Sequence, residues 1–423
     1  MRSIRILSSA VLWLVAAQVF PRLSVERGCA ADALETSLAS PRSARAPEGT
    51  PPSELYRKPY ITRVGRGAAI GGYMDFEFNM LESGATFDQH RFIPFLYSAV
   101  TDYLHVSAEI EFEHGGAVAG DAETDGEIAI EYAVTDFSLD EALNARGGVI
   151  LSPLGRFNLL HDSPLNDLTE RPLVDRQIVP TTLSESGLGV FGAFYPNELW
   201  TVAYELYAVN GFNQGVIVNP DDPDAIDLRI REGRGSRKQD NNNHRSIVGR
   251  LSVSPSLGTD LGVSLHSGAY DDAGDAGLTI IAFDGQVRRG PVEILGELAL
   301  ASADVPRSLQ DAAAKATRAD GSARTIAESQ RGGYAQANVH FAAGAWTKFP
   351  ESIWTAVVRA DYVDYDADLG GDDARAITAG LNFRPVEDAA FKWDVVWRWG
   401  RGETVSAWGD SNRKGSFSIA TYF

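Results

Sequence analysis

The stretch LHVSAEIEFEHGG, residues 104–116, places a carboxylate at every second position: Glu109, Glu111 and Glu113. Two such groups can divide acid and base work at a glycosidic bond. Alternate strand residues stand roughly 6.5–7 Å apart at a rise of ~3.3 Å each, which suits that chemistry. Ser264 and His266 have the same spacing and are the local pair from which a lipid hydrolase could draw nucleophile and base. Asp364, Asp366 and Asp368, followed by Gly370, offer oxygen ligands in the order of the first half of a calcium loop.

Each pattern has a plainer reading in the element that carries it. Ala108, Ile110 and Phe112 lie between the glutamates, so period two puts carboxylates on one strand face and apolar groups on the other. Such a strand divides a wet medium from an apolar one, and a stripe of acids on the wet side singles out no pair. Ser264 and His266 share a wet-side phase and read as wall positions. In the aspartate loop the glycine comes one place late for an EF-hand, and Arg375 stands where the bidentate glutamate belongs. That leaves an acidic external loop, or at most a weak divalent-cation site shared with lipopolysaccharide. The seven histidines show no HExxH or comparable spacing, and His105, His266 and His340 fall on strands as solvated wall positions. Nucleophile-elbow, Walker and Rossmann motifs are absent, and Gly65, Gly67, Gly71 and Gly72 mark the entry to a first strand. No catalytic residue, metal or cofactor is expected.

From Ala68 onward the chain divides into about sixteen alternating segments. They span 68–78, 87–99, 103–113, 127–136, 143–152, 186–195, 199–209, 245–255, 259–270, 277–287, 291–302, 332–342, 352–363, 375–385, 389–400 and 415–423. In one of them Phe391, Trp393, Val395, Trp397 and Trp399 share a face, with Lys392, Asp394 and Arg398 in between. A soluble sheet would have to bury those aromatics under a second layer, and no helical pattern supplies one. A closed barrel in a bilayer needs none, because lipid covers its apolar face and closure satisfies every backbone group. The expected fold class is therefore all-β: a transmembrane antiparallel β-barrel of about sixteen strands over residues 68–423. Trp200, Trp354, Trp393, Trp397, Trp399 and Phe423 are its expected membrane-facing aromatics.

At the N-terminus Arg2 and Arg5 precede an apolar run from Ile6 to Phe20 and then small residues around Ala30 to Ala33. This is the pattern of an export signal over residues 1–30, and the run falls short of the ~20 residues a spanning helix needs. The signal carries four arginines and one glutamate, so 38 basic and 57 acidic residues become 34 and 56, a balance of −22. That balance argues against nucleic acid as a partner. Residues 34–67, rich in Ser, Pro and Arg without periodicity, read as a periplasmic tail.

Connection lengths alternate: the joins near 100–102, 288–290 and 386–388 are short, whereas 153–185, 210–244 and 303–331 are long. Outer-membrane barrels have short periplasmic turns and long external loops. The chain ends SFSIATYF, with Phe417, Ile419, Thr421 and Phe423 in one register. This resembles the terminal strand through which bacterial outer-membrane proteins meet the barrel-insertion machinery. Residues 147–192, GGVILSPLGRFNLLHDSPLNDLTERPLVDRQIVPTTLSESGLGVFG, resemble the broad phosphate-selective porin group. There a strand with a glycine pair ends in a Gly-x-Phe-like turn and passes into a long third external loop. The resemblance implies an outer-membrane porin, a homotrimer in contact with lipid and lipopolysaccharide. Its third loop, Pro153 to Glu185 here, would fold into the lumen and narrow it. Strand number points the same way, since 16–18 strands leave an aqueous channel. Passive diffusion of small hydrophilic solutes or ions is the expected function.

Strand phases place acids on the lumen face at Asp75, Glu77, Glu109, Glu111, Glu113, Glu127, Glu131, Glu205, Asp284, Glu293, Glu297, Asp361 and Asp394. Bases fall there at Arg146, Arg250, Arg359, Arg384, Lys392 and Arg398. In the third loop the constriction candidates are Arg156, His161, Asp162, Asp167, Glu170, Arg171, Asp175 and Arg176. The excess of carboxylates favours weak cation preference or little selectivity. An oxyanion-selective channel is the alternative by family analogy, and a non-conducting structural barrel or a lipid hydrolase the second.

Overall fold

The computed structural model describes residues 68–115, 126–218, 227–234, 240–315, 324–368, 372–402 and 412–423; the expected export signal and tail lie outside them. Sixteen strands follow one another: β1 (Ala68–Leu81), β2 (Gly84–Ala99), β3 (Leu104–Glu113), β4 (Glu127–Ser138), β5 (Asn144–Leu151), β6 (Ser184–Asn197), β7 (Trp200–Val209) and β8 (Ser246–Ser256). The second half comprises β9 (Thr259–Ala269), β10 (Gly277–Arg289), β11 (Val292–Ala303), β12 (Ser329–Phe341), β13 (Ile353–Asp364), β14 (Asp373–Val386), β15 (Ala389–Gly400) and β16 (Arg413–Tyr422). Each pairs antiparallel with its chain neighbours, and β1 closes onto β16 through pairs such as Tyr73 with Tyr422 and Phe78 with Phe417. All sixteen expected segments are strands, within a few residues of the expected bounds.

Burial runs opposite to that of a soluble sheet. On β11, Leu298 is 61% exposed while Glu297 beside it is 1% exposed. On β15, Trp393, Trp397 and Trp399 face outward while Lys392 and Asp394 are buried. Apolar groups outside and charges within are stable together where lipid is the outer solvent. Among the described residues no helix is long and apolar enough to cross a membrane; the crossing elements are strands.

Two connections depart from expectation. β1 and β2 meet in a tight hairpin at Glu82 and Ser83, where a longer external loop was expected. The join at 342–352 is long for a periplasmic turn, and it is used: Trp346 lies against Phe383, with ring centroids 5.7 Å apart. The aromatic band continues on the outer face from Phe383 to Trp354, Trp393 and Phe417. At the barrel seam Gly72, with φ +155°, leaves room for Phe423; a Cβ there would lie 2.3 Å from the Ile93 carbonyl oxygen and 2.8 Å from the Phe423 ring. That ring stacks on Phe92. Trp200 and Phe423 are exposed.

Candidate functional site

The join between β5 and β6, residues 152–183, is the third of the long-side loops and is called L3; residues 210–245, between β7 and β8, are L4. L3 folds inward, and its peptide groups are held by lumen-facing side chains of distant strands. The Gly155 N–H donates to Ser264 Oγ on β9 (2.8 Å), and those of Arg156 and Phe157 donate to Glu297 Oε2 on β11 (2.8 and 3.1 Å). The Thr169 N–H donates to Asp394 on β15, and that of Leu173 to Asp361 on β13 (3.1 Å). In the other direction Lys392 donates to the Ser163 carbonyl (2.6 Å), Arg384 to that of Pro164 (2.6 Å) and Arg359 to that of Glu170 (2.8 Å). Gly155, with φ +71°, makes the approach feasible, since a Cβ there would sit 2.1 Å from Glu297 Oε1.

The described part of L4 is inside as well. Leu154, Leu173, Val174 and Ile178 of L3 join Phe212, Val216, Ile217 and Ile230 of L4 in one buried cluster. The cluster rests on small wall residues, among them Ala299, Ala301 and Ala376. The sequence signal for this was ELALASA, residues 297–303, where small apolar residues take the lumen face. A water-facing wall gains nothing from them.

Side chains complete the docking. His161 Nδ1 donates to the Asn158 carbonyl (2.8 Å), and its Nε2 lies 2.5 Å from Glu131 in a fully buried pair. Burial opposes the imidazolium, but Glu131 outweighs it and holds His161 up at about 9. Asp162 accepts from the Tyr422 hydroxyl (2.9 Å), while Asp167 accepts from Asn338, Asn382 and Arg384. Asp175 is buried completely; burial and Glu297 push its carboxyl well above the ordinary value. Arg156 bonds Gln286.

Glu170 is ringed by Arg398 (2.6 Å), Arg176 (3.4 Å) and Lys414. Burial alone would raise its carboxyl, yet Lys414, Arg176 and Arg398 hold it far below the usual carboxylate range. Beyond it the Thr181 carbonyl accepts from Arg231 (2.9 Å) and Arg234 (3.1 Å) of L4 and from Arg171 of L3 (3.5 Å). Burial, with Arg234 and Arg176 nearby, lowers Arg231 to about 10. It remains a cation at neutral pH.

Most of the expected wall charges are buried. Arg146 pairs with Asp136 (2.7 Å) and lies 3.7 Å from Glu205; Arg250 pairs with Asp284 (2.6 Å), and Arg359 with Asp361 (3.0 Å). Glu293 accepts from Asn338, Asp75 is buried, and Glu127 is exposed at the rim. Of the opening glutamates, Glu111 and Glu113 share Arg91, at 2.9 and 2.7 Å. A bulge brings Arg91 there. β2 pairs Arg91 with Asp75 but Asp88 with Glu77, so residues 88 and 91, of opposite parity, both oppose lumen-facing partners.

Among the described residues, cavities of about 390 and 400 Å³ lie between loops and wall, and Glu170, Arg176, Gln177 and Lys414 line both. These four form the waist. Arg91, Arg171 and Arg231 add to the first cavity against Glu77 and Glu113, so cations outnumber carboxylates on its lining.

Other sequence candidates do not assemble. Ser264 is engaged by Gly155 and His266 by Glu185 (3.0 Å); both are buried inside the barrel, so His266 is not a solvated wall position. Asp364 pairs with Arg331, and Asp368 accepts from the Glu328 and Ser329 N–H groups, so with Asp366 they form no common ligand set. Among the described residues the one cluster of three His, Asp or Glu donors with that reach is Asp88, His90 and His114, which sequence spacing did not reveal.

No family model matches the chain. An uncharacterized protein of Aquifex aeolicus (strain VF5) is 34% identical over 154 residues, 36% of this chain and 34% of that protein, so the match spans about a third of the relative's length. Among solved structures, Salmonella typhi OmpF in complex with daunomycin gives a TM-score of 0.53 at 10% identity, over 84% of this chain and 97% of that one. A loop L8 deletion mutant of OmpT, an outer membrane protein of Vibrio cholerae, gives 0.50 at 11% identity, over 84% and 99%. At such identities the likeness is one of fold: the chain has the closed sixteen-strand barrel of the outer-membrane porins.

Proposed function

We propose that the protein is an outer-membrane porin, a water-filled channel through which small hydrophilic solutes and ions diffuse. The waist carries this reading: L3 and the described part of L4 pack inside the barrel, and beside them two cavities share a charged, polar lining of Glu170, Arg176, Gln177 and Lys414. A purely structural barrel has no use for such a ring, and a hydrolase would need Ser264 and His266 free. The same reading makes the chain an exported homotrimer of the outer membrane.

The ring supports weak anion preference over the cation preference that a count of lumen carboxylates favours. Most lumen carboxylates are engaged with loops and arginines, whereas the first cavity is lined by Arg91, Arg171, Arg176, Arg231 and Lys414 against Glu77, Glu113 and Glu170, an excess of cations. Planar-bilayer recording of the purified protein in a salt gradient tests both statements. Steady conductance steps with a reversal potential on the anion side are expected. Absence of steps would overturn the channel, and a reversal potential on the cation side would overturn the selectivity alone.

A further inference from the structure

The β2 bulge gathers three donors at the external end of the barrel. Asp88 and His90 turn inward from β2, and His114 follows β3 directly in a left-handed conformation (φ +49°), its N–H donating to the His90 carbonyl (3.2 Å). Asp88 Oδ1 lies 2.8 Å from His114 Nδ1, and Oδ2 lies 3.1 Å from His90 Nδ1. One ligand atom from each residue falls within 4.8 Å of the other two. Glu77 Oε1 lies 3.8 Å from His90 Nε2, the ring nitrogen turned away from Asp88, and stands outside this group. Both imidazoles line the 390 Å³ cavity and keep part of their surface in water, so an ion entering the mouth reaches them without unfolding anything.

We propose that Asp88, His90 and His114 bind a divalent transition metal of the Zn²⁺ or Cu²⁺ class on the wall of the external vestibule. Two imidazole nitrogens with one carboxylate form a donor set that such ions accept and that Ca²⁺ and Mg²⁺, which take oxygen ligands, do not favour. A small shift of the Asp88 carboxylate, which bridges the two rings, opens the space between the three donors to an ion. The remaining coordination positions go to water. On a cavity lining that otherwise carries more cations than carboxylates, the site is where a cation can be held.

The test uses untagged full-length protein in detergent, titrated with Co²⁺ by visible absorption and with Zn²⁺ by calorimetry. Saturable binding of one ion per chain is expected. His90→Ala and His114→Ala each weaken it by on the order of tenfold or more, at least the loss seen when an outer-shell partner is removed. His105→Ala, at the other end of β3, leaves it unchanged. Absence of saturable binding to the wild type, or undiminished binding to the double variant, would overturn the site. If the double variant does not fold, as judged by heat-modifiable migration, His114→Gln alone supplies the comparison. Because binding is read without conductance, a barrel that binds metal but does not conduct would remove the channel and keep the site.

Discussion

His161 sets a pH limit on how L3 is held. With its folded value raised to about 9 from an ordinary ~6.5, the folded state favours the imidazolium. Its contribution is complete below that ordinary value and fades as pH rises through about 9. Between pH 7 and pH 10 the wild type is therefore expected to lose resistance to heat-induced unfolding, read by gel migration. His161→Gln should start lower at pH 7 and show a flatter profile; an equally steep decline in both would mean that another group titrates. Asp175 has the opposite character: burial first, and Glu297 beside it, raise its carboxyl well above the ordinary value.

Among the elements, L3 depends most on a single wall residue, since Glu297 accepts two of its peptide N–H groups. Glu297→Ala leaves both donors unmatched, at roughly 1–3 kcal/mol each. Larger and noisier conductance with unchanged β-content is the expected outcome, measured in bilayers and by circular dichroism. Strands were legible in the sequence because period two records which side of the chain meets lipid; Ile294, Leu298 and Leu300 on β11 show it. The inward course of L3 was legible only by likeness. Its anchors, such as Glu297 and Asp394, were legible as lumen-facing but not as docking groups. L4, with Arg231 and Arg234, was not legible because an irregular segment takes its path from the surface it packs on. His90 and Arg91 escaped for another reason: one bulge in β2 breaks the parity on which reading by faces relies, and His114 lies just past the end of β3, where that parity no longer applies.

Over the whole molecule, net charge and local field separate. The chain is acidic, at −19, yet the described lining of the waist is dominated by cations. Reversing them should therefore act far beyond the change in total charge. Arg171→Glu with Arg231→Glu is expected to move the reversal potential toward cations at unchanged assembly, whereas Glu109, Glu111 and Glu113 replaced together by Gln should release Arg91 and move it toward anions. Reversal potentials measured in one salt gradient compare the three proteins directly, and identical values would assign selectivity to some other part of the path.

The wall grips L3 in large part through peptide N–H and C=O groups, at Gly155, Arg156, Phe157, Ser163, Pro164, Thr169, Glu170 and Leu173. Apart from Gly155, whose missing side chain matters, and Pro164, whose ring fixes the chain, those handles are common to every amino acid. Mutation at Arg171, Arg176 or Gln177 can thus rewrite what passes while the grip persists, so a lineage of such barrels can change diet without relearning how to assemble.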